Sequence, residues 1–348
     1  DNPQISYQNR QAAWWTLSLT APDQLRQRVA FALSEILVVS DVNSTLFNNP
    51  QGMANYYDLL VNGAFDNFRS LLENVTLSPI MGFYLSSLRN SKATFGDRGV
   101  VLTSADENYA REVMQLFTIG LNQLQPDGTL KLDPTGLPIP TYDQTTITEM
   151  AKVFTGLGYP STNLAAFRTA RPDYITPMQL FPAYHDDTAK PIVNGVVIPA
   201  NQGGAKDLQL ALDALFNHPN AAPFIAHHLI QRLVTSNPSP AYVYRVAQTF
   251  VNDGTGTRGN LSAVVRAVLT DYEARSPTVA ANAGFGKLKE PLLRLTNLLR
   301  SFGATAQNGR YLGSGTSTNI AVTENNLAQA SLRAPTVFNF FHPSYVLP

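Results

Sequence analysis

The chain has 348 residues, no cysteine and a formal net charge of zero, and 44% of it is hydrophobic. That apolar share suffices for a large core, and the lack of cysteine excludes disulfides, thiolate metal sites and a cysteine nucleophile. Charged residues make up only 14%, against about 25% in a typical protein, and with no basic excess a nucleic-acid partner is not expected.

In chain order, Pro22 and Asp23 open a helix expected to run to Val39, with Leu25, Val29, Ala32, Leu33 and Ile36 on its apolar face. Two more are expected over 56–61 and 65–75, and Pro79 starts a short one through Leu88. Ser104-Ala105-Asp106-Glu107 reads as a capping box before Tyr109, Val113, Leu116 and Phe117, with Gly120 as the C-cap glycine. Thr146 and Glu149 repeat that pattern before Met150, Val153 and Phe154. Pro126-Asp127-Gly128 and Asn194-Gly195 each predict a β-hairpin. The segment 156–204, rich in Pro, Gly and Tyr, reads as an ordered cover over the helices. Further helices are expected over 206–216, from Asn220 through Val234, from Ser239-Pro240 to near Gly254, from Asn260 through Leu269, from Pro291 to Phe302, and over 324–332.

The expected architecture is therefore mainly α: a compact multi-helix domain with two short β-hairpins and a long ordered loop region. It is taken as a single helical domain over 1–348, with N-terminal helices in 1–120, a hairpin- and loop-rich cover in 121–204 and C-terminal helices in 205–348. No run approaches the roughly 18 apolar residues of a membrane span. The chain opens at Asp1 in mid-pattern without methionine, as processing or truncation would leave it. Low charge with many Asn, Thr, Tyr, Gly and Pro residues suits a secreted or periplasmic protein. Nothing in the sequence sets the oligomeric state.

Several segments, in order along nearly the whole chain, carry a family resemblance. They are Gln24 through Glu35, Asp106-Glu107-Asn108-Tyr109-Ala110-Arg111-Glu112, Leu116 through Gly120, Val153-Phe154-Thr155-Gly156, Tyr184-His185-Asp186, His218-Pro219-Asn220, Leu229 through Ser236, and Val337 through Phe341. Together they resemble the bacterial family named domain of unknown function 1800 (DUF1800). The resemblance implies an exported bacterial protein and a chain shorter than its relatives at both ends. It implies no particular activity. The usual Asp-Thr-Gly after the histidine is replaced here by Asp186-Asp187-Thr188.

Five residues are candidates for catalysis. Glu35 has Phe31, Ala32, Val38 and Val39 as helical neighbours, so burial can raise its pKa and make it a general acid, with Arg28 one heptad back as counter-charge. A buried, Arg-paired structural acid fits the same pattern. Glu107 and Glu112 point to different helix faces. Glu107 doubles as a capping residue and lies one turn from Arg111, while Glu112 neighbours Asn108, Tyr109 and Gln115. His185 and Asp186 can form an acid–base pair or contribute to a metal site, although no second ligand cluster accompanies them.

Arg28, Asn108, Arg111, His228, Gln231 and Arg232 are candidates for binding substrate, the last three forming a polar stripe with Thr235 and Phe224. A helix face hydrogen-bonded to a neighbouring loop is the favoured account of that stripe. Phe338, Phe340, Phe341 and Tyr345 form an aromatic tail. No phosphate loop or nucleophile elbow is present, and no cofactor or bound metal is expected. The leading expectation is an enzyme acting on an extracellular polysaccharide by carboxylate chemistry. The alternatives are a non-catalytic binding or surface-assembly module and a metal-dependent hydrolase or oxidoreductase.

Overall fold

A computed structural model describes residues 5–306, 311 and 327–340. The first helix, α1 (Tyr7–Thr20), starts where the Ser6 hydroxyl accepts from the Asn9 amide and ends at Ala21, which Pro22 forces out of helical conformation. Sequence patterning does not reveal α1, because its buried face mixes Arg10 and Gln11 with Trp14 and Trp15.

Helix α2 (Gln24–Ser34) stops short of the expected Val39. Ile36, Leu37, Val38 and Val39 are all at most 4% exposed. A run buried on every side has no helical period, and three of the four residues are β-branched, which favours extended chain. The chain leaves the helix through a turn at 35–37, where the Leu37 amide still donates to the Leu33 carbonyl, and reaches a bridge between Ser40 and Arg333. The Tyr56 hydroxyl caps the freed carbonyl of Leu37 at 2.7 Å.

A single-turn helix, α3 (Ser44–Phe47), leads into α4 (Pro50–Gly63), α5 (Phe68–Leu77) and α6 (Pro79–Tyr84). Pro50 at the first turn of α4 sets its start earlier than the apolar residues alone suggest. Helix α7 (Asn108–Glu112) runs into a π-helical turn, Val113–Thr118, and Gly120 takes φ +73° beyond it.

Neither expected capping box forms. The Glu107 side chain caps nothing, and helix α8 (Gln144–Val153) is capped by Asp143, whose carboxylate accepts from the Thr146 amide at 2.8 Å. Spacing alone suggests both boxes, but an upstream aspartate in one case and a cross-helix contact in the other supply better partners.

The C-terminal part follows its sequence signals closely. It contains α9 (Gly204–Asn217), α10 (Ala221–Leu233), α11 (Pro240–Val251), α12 (Leu261–Thr270), two single turns α13 (Tyr272–Arg275) and α14 (Pro277–Ala280), and α15 (Pro291–Ser301). Ser239 and Asn260 cap as expected. Asn220 precedes α10 but spends its amide on the Ile119 and Asn122 carbonyls, tying the π-helical end to α10. The helix expected over 324–332 lies partly outside the described residues, and 328–332 is not helical.

Strand is scarce. The Asn194-Gly195 turn has both residues at positive φ, 63° and 69°, and joins β5 (Lys190–Pro191) to β6 (Val197–Ile198). The Asp127-Gly128 turn joins Leu124 to Leu130 through a single bridge. Two further pairs lie outside the expected hairpins: β1 (Thr94–Phe95) with β2 (Val101–Thr103), joined through Gly96-Asp97-Arg98-Gly99, and β3 (Leu157–Gly158) with β4 (Gln179–Leu180). In 156–204, Phe167 and Phe181 are fully buried and Tyr184 stacks on Phe167 at 4.1 Å, so this cover has its own packing.

Buried apolar residues from Ala12 to Leu332 form one continuous cluster. Helix α10 packs on α11 and α12 and also meets α2, while α15 returns against α1. The ends of α2 and α10 and the segment entering α15 thereby come together. Among the described residues no helix is long and apolar enough to cross a membrane.

Candidate functional site

The meeting point of α2, α10 and α15 holds a buried charge cluster. Glu35 is 6% exposed and Glu290 4%. Arg232 Nε lies 3.7 Å from Glu35 Oε2, so Arg232, and not Arg28, is the nearer counter-charge. Arg28 instead donates to the Arg232 carbonyl. Lys287 Nζ pairs with Glu290 Oε1 at 2.6 Å and donates to the Gln231 and Arg232 carbonyls. Two cations thus sit on the carbonyl end of α10, where the helix dipole favours them.

The polar stripe of α10 assembles this cluster. Thr235 Oγ1 donates to the Gly286 carbonyl and accepts from its amide, and the Ser236 amide also donates to that carbonyl. Gln231 Nε2 donates to the Ser236 carbonyl. The strand of chain carrying Lys287 and Glu290 is held against the helix end in this way. Sequence reading misses both residues. Their signal is the Lys287-x-x-Glu290 spacing before Pro291, but only the fold brings them to Glu35.

Neither Glu35 carboxyl oxygen has a hydrogen-bond partner among the described residues. Burial first, then the nearby Glu290, pushes its pKa up to about 8, against the opposing pull of Arg232, Arg28 and Lys287. At neutral pH the side chain is therefore mostly a neutral acid. It lines a cavity of about 10 Å³ with Ser34 and Asn339, roughly the space of one water. Asn339 Nδ2 donates to the Glu35 carbonyl and closes this side.

His228, one turn before Arg232, donates from Nδ1 to the Phe224 carbonyl at 2.8 Å. Burial lowers its pKa to about 4. An unfolded histidine titrates near 6.5, so between these values the unfolded chain takes up a proton that the folded chain refuses. Stability should therefore fall as pH drops through that window, by roughly 1–2 kcal/mol from this residue by pH 5. A His228→Asn variant, which cannot charge, should show a correspondingly shallower loss in denaturant titrations at pH 7 and 5; equal slopes would refute the assignment.

The other candidates lie elsewhere, each in its own setting. Glu107 joins α7 to α8, accepting from Arg111 at 3.2 Å, Gln144 at 2.8 Å and Thr148 at 2.7 Å. Asn108 is exposed and its amide donates to Asp106. Glu112 is buried, not solvated, and burial raises its pKa. It sits near Tyr84 and Tyr142, whose phenols are pushed up by burial first and by its charge second.

His185 is fully buried, with Nδ1 2.9 Å from the Thr155 carbonyl and Nε2 3.1 Å from Asp207 Oδ2. Asp207 also receives Lys190 at 2.6 Å and Gln202 at 2.9 Å. Burial would raise its pKa, but these bonds hold it below the usual range. Gly156, at φ +82°, lets the chain pass close to this histidine, since a Cβ there would lie 3.0 Å from the His185 backbone nitrogen.

Asp186 turns away from the histidine and accepts from the Thr188 amide and hydroxyl. With its neighbours so committed, His185 does not form an acid–base pair with Asp186. No group of three or more potential ligands gathers for a metal among the described residues. Of the aromatic tail, Phe338 and Phe340 are described; Phe341 and Tyr345 lie outside the described residues.

The fold and site define a mainly helical protein with a buried carboxylate–cation cluster at a junction of three helices. The chain belongs to the family described as protein of unknown function (DUF1800), whose model matches residues 2–348. No curated protein and no solved structure matches it.

Proposed function

We propose that this chain is an exported bacterial enzyme that works on an extracellular polysaccharide, with Glu35 as general acid. The observation that carries this reading is that both Glu35 oxygens are buried without hydrogen-bond partners among the described residues, although buried polar groups are ordinarily satisfied. An acid retained for structure alone would be expected to have its oxygens bonded. The cluster also separates two carboxyls by environment: Glu35 is kept neutral near pH 7, while Glu290 is ion-paired with Lys287. Such a division suits acid–base chemistry.

Turnover by the purified protein on a polysaccharide panel tests the proposal. Glu35→Gln should lower it by about 10²–10⁴-fold, the usual worth of a positioned acid. Undiminished turnover in Glu35→Gln would end the assignment. The second reading is a non-catalytic binding or surface-assembly module. It is favoured by Glu107, His185 and Asp186, each already held by local partners. Binding of a polymer by the parent protein without any turnover would select it.

A further inference from the structure

Beside the cluster, between α1, α2 and α15, lies a pocket of about 300 Å³. Arg28, Lys287, Lys289 and Arg300 line it, and among the described residues no acidic side chain does. For a chain of zero net charge this is a local concentration of one sign, which focuses field on an anion. Glu290 pairs with Lys287 on the cluster side and does not line the pocket. Arg28 Nη1 is buried without a hydrogen-bond partner, a donor left over after its other nitrogen binds the Arg232 carbonyl. Lys289 and Arg300 are exposed at the rim.

The remaining walls are mixed. Trp14 and Phe31 supply aromatic surface, and Gln24, Gln27 and Asn297 supply polar groups. The volume is at the lower end for small-molecule sites and suits one ring carrying a charged group. Aromatic faces pack against the C–H face of a sugar ring, and a guanidinium pairs with a carboxylate through two parallel bonds. Phe31 lines both this pocket and the small cavity beneath Glu35, so a ligand here would rest one side chain away from the acid.

We propose that this pocket binds a carboxylate-bearing sugar, so that the polymer recognised is an acidic polysaccharide of the uronate type. The proposal rests on the polysaccharide reading of the preceding section and narrows it. Calorimetric titration of the whole chain tests it, with a short oligogalacturonate, a neutral cello-oligosaccharide of equal length and inorganic phosphate as probes. The oligogalacturonate should bind and the neutral oligomer should not. Its affinity should fall about tenfold or more with added salt and in the Lys289→Glu/Arg300→Glu variant, as for a charge-steered partly exposed site.

Equal binding of the neutral oligomer would overturn the charge argument. Phosphate binding as tightly as the oligogalacturonate would overturn the sugar argument, and binding of neither saccharide would overturn both. The acid reading fails separately. Loss of turnover in Glu35→Gln without any preference for acidic polymers sinks this inference alone. Charge-selective binding with undiminished Glu35→Gln turnover sinks the acid alone.

Discussion

Glu35→Gln is expected to make the protein more stable than its parent at alkaline pH while leaving it nearly unchanged at acid pH. The folded-state pKa is raised from 4.5 to about 8. Below the lower value both states hold the proton, and the group contributes nothing. Between the two the folded chain keeps a proton that the unfolded chain releases, so stability falls as pH rises. Above about 8 the carboxylate is ionised in both states, and the whole cost of burying it is felt.

That cost is on the order of 3–5 kcal/mol, because each tenfold change in proton affinity is worth about 1.4 kcal/mol. Glutamine has the shape of the protonated acid and no charge to bury. Urea unfolding of both proteins at pH 5 and pH 8.5 gives the comparison, and the histidine contributions on the acid side cancel in the difference. Parallel pH profiles for parent and variant would show that Glu35 ionises normally. The same variant also guards the activity test, since lost turnover in a protein of equal or greater stability is not lost folding.

Asp207→Ala should be strongly destabilising, by about 3–5 kcal/mol, because it strands a buried ammonium. Lys190 is fully buried, and its only other described acceptor is the Thr188 carbonyl at 2.7 Å. His185 Nε2 and Gln202 Nε2 would lose their acceptor at the same time. The double variant Lys190→Met/Asp207→Leu removes both charges and should recover most of the loss, since an apolar pair of similar volume often replaces a buried ion pair at little cost. Denaturant midpoints for the three proteins decide the matter. A loss below about 1 kcal/mol in the single variant, the range of exposed pairs, would mean that water reaches Lys190.

These two sites differ in how far they can be read from sequence. Helices α11, α12 and α15 announce themselves through Ser239, Asn260 and Pro291, because capping and proline effects are local and independent of the fold. The end of α2 does not, since Ile36–Val39 are buried on all sides and lose the periodicity that marks a helix. Glu35 stands out because apolar residues flank it. Its nearest charged neighbours, Arg232 and Glu290, come from distant parts of the chain, whereas Arg28, close in sequence, turns to a carbonyl instead. Asp207 carries no mark at all: an aspartate in the first turn of α9 looks like ordinary dipole compensation. His185 is visible, but Asp186, its neighbour in sequence, points elsewhere.

The Ser40–Arg333 bridge belongs to a larger seam. Arg10 reaches Asp41 at 2.5 Å and the Ser331 carbonyl, Gln11 reaches the same carbonyl, Arg333 pairs with Asp41 at 2.9 Å, and Asn339 holds the Glu35 carbonyl. The contacts that cross the seam join residues about 290–320 positions apart. Residues near Asp41 must therefore wait for a segment 292 positions further along the chain before these contacts form. Such distant closures slow folding and lengthen the time that unfinished surfaces stay exposed. Until the segment carrying Asn339 is laid across it, this side of Glu35 stays open to water.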